Sequence, residues 1–188
     1  MTPPPNEMIQ ARTQELLPQI GIPERYQLAK LDDFPPEERK MVRALIGPKI
    51  NTIIVGPNKT GKTHLMAAIA RENSHNAFLP HLSNFISMSD LILNVREGIG
   101  AEGEKASDIV LTRRYMECPY LYLDDLGAEK TTDWVRQVLY TIINYRYNHM
   151  KHILITSNLM PSELDDKLGT RICRRIEDMC TVHRKDER

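Results

Sequence analysis

Residues 56–63 read Gly56-Pro57-Asn58-Lys59-Thr60-Gly61-Lys62-Thr63, and no other stretch restricts the possible folds of the chain as strongly. The apolar run Ile50 to Val55 precedes it, and His64-Leu65-Met66-Ala67-Ala68-Ile69-Ala70 follows in a pattern that a helix can carry. A strand, a glycine-containing turn ending in Gly-Lys-Thr, and a helix make the order that a phosphate-binding loop requires. Gly61 lets the backbone curl, so that successive N–H groups and the positive end of the new helix face one phosphate chain. Lys62 can reach the terminal phosphates, and the Thr63 hydroxyl is suited to magnesium. A chance lysine in a glycine turn would explain the octapeptide but not its flanks. Nucleotide binding is therefore the first expectation, with residues 56–63 and His64 as the contact set.

The 188 residues, 41% of them hydrophobic, suffice for one substantial core. Basic and acidic residues number 25 each, for a formal net charge of 0, so any nucleic-acid surface must be local. No apolar run approaches the roughly 18 residues of a membrane span, and Met1-Thr2-Pro3-Pro4-Pro5 lacks the basic and apolar parts of a signal peptide. A cytoplasmic setting without a membrane partner is expected. Cys118, Cys173 and Cys180 are too scattered for a zinc or disulfide framework and read as unpaired thiols in partly buried positions.

Residues 1–8 are proline-rich and expected to be mobile, Ile9 to Leu17 to form a short helix stopped by Pro18, and Ile20-Gly21-Ile22-Pro23 to turn. Pro35-Pro36 can open a helix through Met41, Val42 and Leu45 to Ile46. The segment between, with Tyr26 and Phe34, is placed to cover the base of a nucleotide or simply to pack in the core. Arg71 to Leu82 has no clear assignment, because Pro80 argues against one continuous element. Strands are expected at 84–88, 120–123 and 153–156. Helices are expected after Ser89 or Asp90 as cap, over 108–116 and over 132–147, with a charged, glycine-containing loop at 98–105. Strands alternating with helices imply a parallel α/β sheet covered on both faces. The division expected is a short N-terminal extension and helical lead-in at 1–48, followed by a nucleotide-binding core at 49–188.

The strand Tyr120-Leu121-Tyr122-Leu123 ends in Asp124-Asp125-Leu126-Gly127. An acidic pair at a strand tip suits one carboxylate, Asp124, to magnesium and its water shell, and the other, Asp125, to the attacking water. Asn158, at the end of Ile153-Leu154-Ile155-Thr156-Ser157, can hold that water or touch the terminal phosphate. In the 132–147 helix Trp134 reads as a core or subunit-contact residue, and Arg146, His149, Lys151 and His152 as a small basic cluster serving solvation and helix-end charge. From Lys167 onward, seven basic against four acidic residues leave the tail about three charges positive. Arg171 and Arg175, four apart, share a helical face from which an arginine can be offered to a neighbouring subunit's phosphate.

GPNKTGKTHLMAA, LYLDDLGAEKTTDW, INYRY, ITSNL and LGTRICRRIEDMC occur in that order, after the lead-in GIPERYQLAKLDDF. Together they resemble the bacterial and phage DnaC/DnaI-type helicase loaders, within the AAA+ ATPases related to the replication initiator, from about residue 20 to 182. The resemblance implies an αβα P-loop sandwich around a five-stranded parallel sheet, without a complete C-terminal lid. It also implies ATP and Mg2+ as ligands, side-by-side assembly, single-stranded DNA binding and a replicative helicase as partner. Lys62 and Thr63 take the Walker A places, Asp124 and Asp125 Walker B, Asn158 sensor 1, and Arg175 the arginine finger with Arg171 as a second basic position. The transposition helper ATPases of the IstB type share this logic and give a second reading; an ATP-binding adaptor with little hydrolysis gives a third. Lys59 stands where relatives usually carry glycine, and Asp125 is one methylene shorter than the usual glutamate, so slow turnover is expected. With a short part before the first core strand and an end soon after Val182, neither a separate helicase-gripping region nor a helical lid is expected.

Overall fold

A computed structural model describes residues 15, 17–45, 51–76, 83–100 and 108–185. Its centre is a five-stranded sheet in the order β2-β3-β4-β1-β5. The strands are β1 (Thr52–Val55), β2 (Asn84–Ser87), β3 (Tyr120–Asp124), β4 (His152–Ser157) and β5 (Thr181–Arg184). Every pairing is parallel. Helices follow as α1 (Pro36–Leu45), α2 (Lys62–Asn76), α3 (Met88–Gly100), α4 (Asp108–Glu117), α5 (Asp133–Asn148), α6 (Pro161–Leu168) and α7 (Thr170–Met179). This is the αβα P-loop NTPase architecture of the AAA+ type.

The register decides where chemistry can occur. Val55 pairs with Ser157 across β1 and β4, and Ser87 with Asp124 across β2 and β3, so the carboxyl ends of the central strands finish along one edge. Because β4 lies between β3 and β1, the acidic strand tip and the loop after β1 flank the end of β4. Ligands of open parallel sheets bind at that edge.

Side-chain alternation along the strands splits the interior in two. Ile53, Val55, Leu121, Leu123, Ile153 and Ile155 join a core that includes Leu91 and Val95 of α3, Ile142 of α5 and Ile172 of α7. Ile54, Tyr122 and Leu154 face α2 and the N-terminal segment through Leu17, Ile20, Ile22 and Phe34. All three thiols are free and buried. Among the described residues no helix is long and apolar enough to cross a membrane.

Several boundaries differ from expectation, each for a local reason. Pro18 lies inside a helical segment that runs to Ile20, since its fixed φ is helical; the turn falls at Gly21, at φ +93°, whose N–H bonds Pro18 O at 3.0 Å. A Cβ on Gly21 would meet Phe85 O at 2.5 Å. The cap of α3 is Ser87 instead of Ser89 or Asp90: its Oγ accepts the Asp90 N–H at 3.0 Å and donates to the Asp90 carboxylate at 2.7 Å. α3 passes through Gly98 to Gly100, where a loop is expected, because a helical glycine costs only about 1 kcal/mol. Of the expected basic cluster His149 is exposed, but Arg146 is not on a solvated face, being 0% exposed. Its guanidinium donates to the carbonyls of Tyr115, Met116, Cys118, Pro119 and His152. Residues 1–14, Ile46, Ile50, 77–82 and 101–107, with the expectations that fall on them, lie outside the described residues.

Candidate nucleotide-binding site

The loop after β1 is built around one close approach and one buried cation. A Cβ on Gly56, at φ +154°, would lie 2.0 Å from the carbonyl oxygen of Lys185, the residue after β5. The Lys62 side chain folds beneath the loop, its Nζ donating to Gly56 O at 2.9 Å and Pro57 O at 2.7 Å. Burial pushes the Lys62 ammonium below its usual pKa, and the charges of Asp125 and Asp124 oppose that shift. Thr60 Oγ1 closes the turn on Pro57 O at 3.0 Å. Lys59 adopts φ +67°, a left-handed conformation costing a non-glycine residue about 1–2 kcal/mol, which accounts for glycine being the easier choice there.

Behind the loop the polar groups form a connected chain. Thr63 Oγ1 donates to Asp124 Oδ1 at 3.1 Å, and Thr156 Oγ1 donates to the same oxygen at 2.5 Å. The Thr156 hydroxyl also accepts the Asp125 N–H at 2.9 Å, which holds Asp125 at φ +56°. Asn158 Nδ2 then donates to Asp125 Oδ1 at 3.4 Å. Lys62, Thr63, Asp124, Asp125 and Asn158 are thus brought together as the sequence spacing predicts. Thr156 was missed: a threonine inside an apolar strand reads as packing, and only the register of β4 beside β3 reveals its bridging hydroxyl.

A cleft of about 510 Å³ opens beside the loop, lined by Asp33, Phe34, Asn58, Lys59, Thr60, Gly61 and His64. His64 Nε2 pairs with Asp33 Oδ2 at 2.8 Å. The Asp33 carboxyl is held below its usual pKa, first by the Lys30 N–H and then by His64. Phe34 meets the His64 ring edge-on at 5.3 Å and lines the cleft, while Tyr26 meets the same ring edge-on at 6.2 Å without lining it. Of the two aromatics considered for a base, only Phe34 lines the cleft.

Arg171 and Arg175 are not gathered into this cluster. Arg171 is exposed on α7. Arg175 Nε donates to Asn144 Oδ1 at 2.7 Å, and its guanidinium carbon lies 5.0 Å from the Tyr140 ring centre and 5.7 Å from that of Tyr147. The α5 side chains hold it half-buried on the chain's own surface.

The residues present fit a nucleoside triphosphate with magnesium. The cleft has the volume of a ligand pocket, Lys62 supplies a cation, and the Thr63 hydroxyl and Asp124 carboxylate form a hard oxygen pair in contact. Magnesium keeps several waters and takes phosphate oxygens, so this small protein donor set suits it.

A family model described as "IstB-like ATP binding protein" matches residues 27–183. The chain belongs to that family. It is 28% identical over 142 residues to the phage-like element PBSX protein XkdC of Bacillus subtilis, covering 71% of this chain and 50% of that protein. It is 27% identical over 143 residues to the insertion sequence IS5376 putative ATP-binding protein of Geobacillus stearothermophilus, covering 73% and 54%. The crystal structure of the DnaC helicase loader superposes with a TM-score of 0.74 at 26% identity, covering 87% of this chain and 99% of that one. The chain spans about half the length of the first curated relatives it matches. These similarities place this IstB-like protein in the DnaC/DnaI/IstB superfamily of P-loop AAA+ ATPases. The loader resemblance read from the sequence holds at that level, while the matching family carries the description of the second reading.

Proposed function

We propose that the protein is an IstB-type helper ATPase that binds ATP with magnesium at the 56–63 loop, assembles in the ATP-bound state on DNA, and assists a DNA-processing partner such as a transposase. The observation that carries this is the unbroken hydrogen-bonded path from Thr63 through Asp124, Thr156 and Asp125 to Asn158. It joins the place for the metal to the place for the attacking water, so a change at the terminal phosphate is felt at the ends of β3 and β4. Thr63 and Asp124 would hold magnesium, which when bound would neutralise charge developing on the phosphates. Lys62 binds the terminal phosphates; Asp125 orients water, and Asn158 fixes the Asp125 carboxylate. The short reach of Asp125 makes turnover slow. Arg175, with Arg171 beside it, acts on the nucleotide of a neighbouring chain.

Replicative helicase loading is the second reading, favoured by the 26% identity to the DnaC loader along 99% of that chain. ATP binding by the wild type and Lys62→Ala, followed by light scattering with a non-hydrolysed ATP analogue, magnesium and single-stranded DNA, tests the shared part. A larger DNA-bound species formed only with both ligands is expected. Wild-type affinity in Lys62→Ala, or a monomer under every condition, overturns it. Co-purification with a transposase against a replicative helicase then separates the two readings.

A further inference from the structure

Lys185 has no part in the cluster described above, yet the fold presses it against the loop. Its N–H donates to Val55 O at 2.8 Å, extending β5 by one bond along β1, and its carbonyl occupies the space a Cβ on Gly56 would need. Its Cε lies 3.6 Å from the Cβ position of Gly61. The residue is 4% exposed, and its ammonium sits 5.2 Å from the ring centre of Phe34. Gly61 and Phe34 both line the cleft, and Lys185, which does not line it itself, lies against both. Its acidic partner is Glu38 of α1, whose Oε2 accepts from Nζ at 2.6 Å. A lysine ammonium carries three donors, and one carboxylate oxygen uses one of them. A buried ion pair repays its desolvation only when further hydrogen bonds satisfy the ammonium's remaining protons.

We propose that Lys185 is a second cation of the nucleotide site, contacting the phosphate chain of the bound nucleotide, and that Glu38 tunes affinity by competing for the same ammonium. This deepens the ATP-binding reading of the loop and rests on it. The cation enters from the end of β5 and its competitor sits on α1, so occupancy of the cleft is linked to the helix that precedes the sheet. Removing the competitor frees the ammonium for phosphate, whereas removing the ammonium weakens phosphate binding. A purely structural ion pair lacks this opposition of sign, because loss of either partner then acts only on stability.

The test is equilibrium binding of ATP and AMP, with magnesium, to the wild type, Glu38→Gln, Lys185→Arg and the double variant Glu38→Gln/Lys185→Met, with melting curves to confirm folding. The double variant avoids stranding a half-buried carboxylate. Glu38→Gln is expected to bind ATP several-fold more tightly than the wild type. The double variant should bind ATP about tenfold more weakly than Glu38→Gln, the size of one charge-assisted contact, and lose less for AMP. Lys185→Arg should keep most of the affinity. If the wild type binds ATP but the folded double variant matches Glu38→Gln, or Glu38→Gln weakens binding, Lys185 has no such role. If the wild type binds no ATP, the reading of the loop itself fails.

Discussion

Asp124 keeps a carboxylate where charge is disfavoured. Burial raises its pKa and the neighbouring Asp125 adds to the rise, while hydrogen bonds from Thr156 and Thr63 and the charge of Lys62 only partly offset it. The ionised form is therefore a cost to the folded chain, one that on the proposed reading serves to hold magnesium. Asp124→Asn keeps an acceptor for both hydroxyls and removes the charge, so it should raise stability at neutral pH by about 0.5–2 kcal/mol, the usual gain from relieving a functional residue. The sign sets the pH window. Below the ordinary carboxylate pKa of 3.8 the aspartate is protonated whether folded or unfolded, and the variant gains nothing. Above the raised folded pKa the whole difference is present. Urea unfolding of both proteins across that range measures it, and magnesium-dependent ATP binding should fall in the same variant. Equal stabilities at neutral pH would show that the hydrogen bonds, not burial, dominate.

At the scale of elements, Arg146 shows how a charge can be structural. It lies at the end of α5 and turns inward, where its guanidinium gathers carbonyls from the end of α4, the following turn and the start of β4. The Tyr115 and Cys118 carbonyls are buried beside it, so Arg146→Met should cost about 3–5 kcal/mol. Arg146→Lys should recover little, since a single ammonium cannot reach so many acceptors in a plane; denaturant midpoints and m-values check both. The residue also marks where sequence reading fails. Arg146 beside His149 and Lys151 reads as a surface cluster, and nothing local says that α4 and β4 will present it with carbonyls. Thr181–Arg184 was not read as a strand for a related reason: as the sheet's edge it is largely exposed, so it shows no apolar signature, and pairing to β1 alone defines it. The loop, the acidic tip and Asn158 were legible because each follows an apolar strand, whose burial on both faces writes itself into the sequence. Lys185 was not, since its position depends on the unread strand.

At the scale of the whole molecule, each chain carries a loop at the strand ends and an arginine on α7 that its own α5 side chains hold. Asn144 and Tyr140 bond the Arg175 guanidinium, and Tyr140 and Tyr147 supply ring faces. Within one chain this fixes the arginine's direction without delivering it to the loop, so on the proposed reading the phosphate it meets belongs to a neighbour. Arg175→Ala should then leave ATP binding by the isolated chain within about twofold of the wild type, yet lower hydrolysis by about 10³-fold, the scale of an arginine supplied in trans. The decisive form of the experiment uses two inactive proteins. Lys62→Ala chains cannot hold nucleotide but still present Arg175; Arg175→Ala chains hold nucleotide but lack the guanidinium. Mixed in equal amounts with single-stranded DNA, they should regain a fraction of wild-type hydrolysis, because some interfaces pair an intact loop with an intact arginine. A mixture as inactive as its components, under conditions where the wild type assembles and hydrolyses ATP, would return Arg175 to a role in binding α7 to α5 within its own chain.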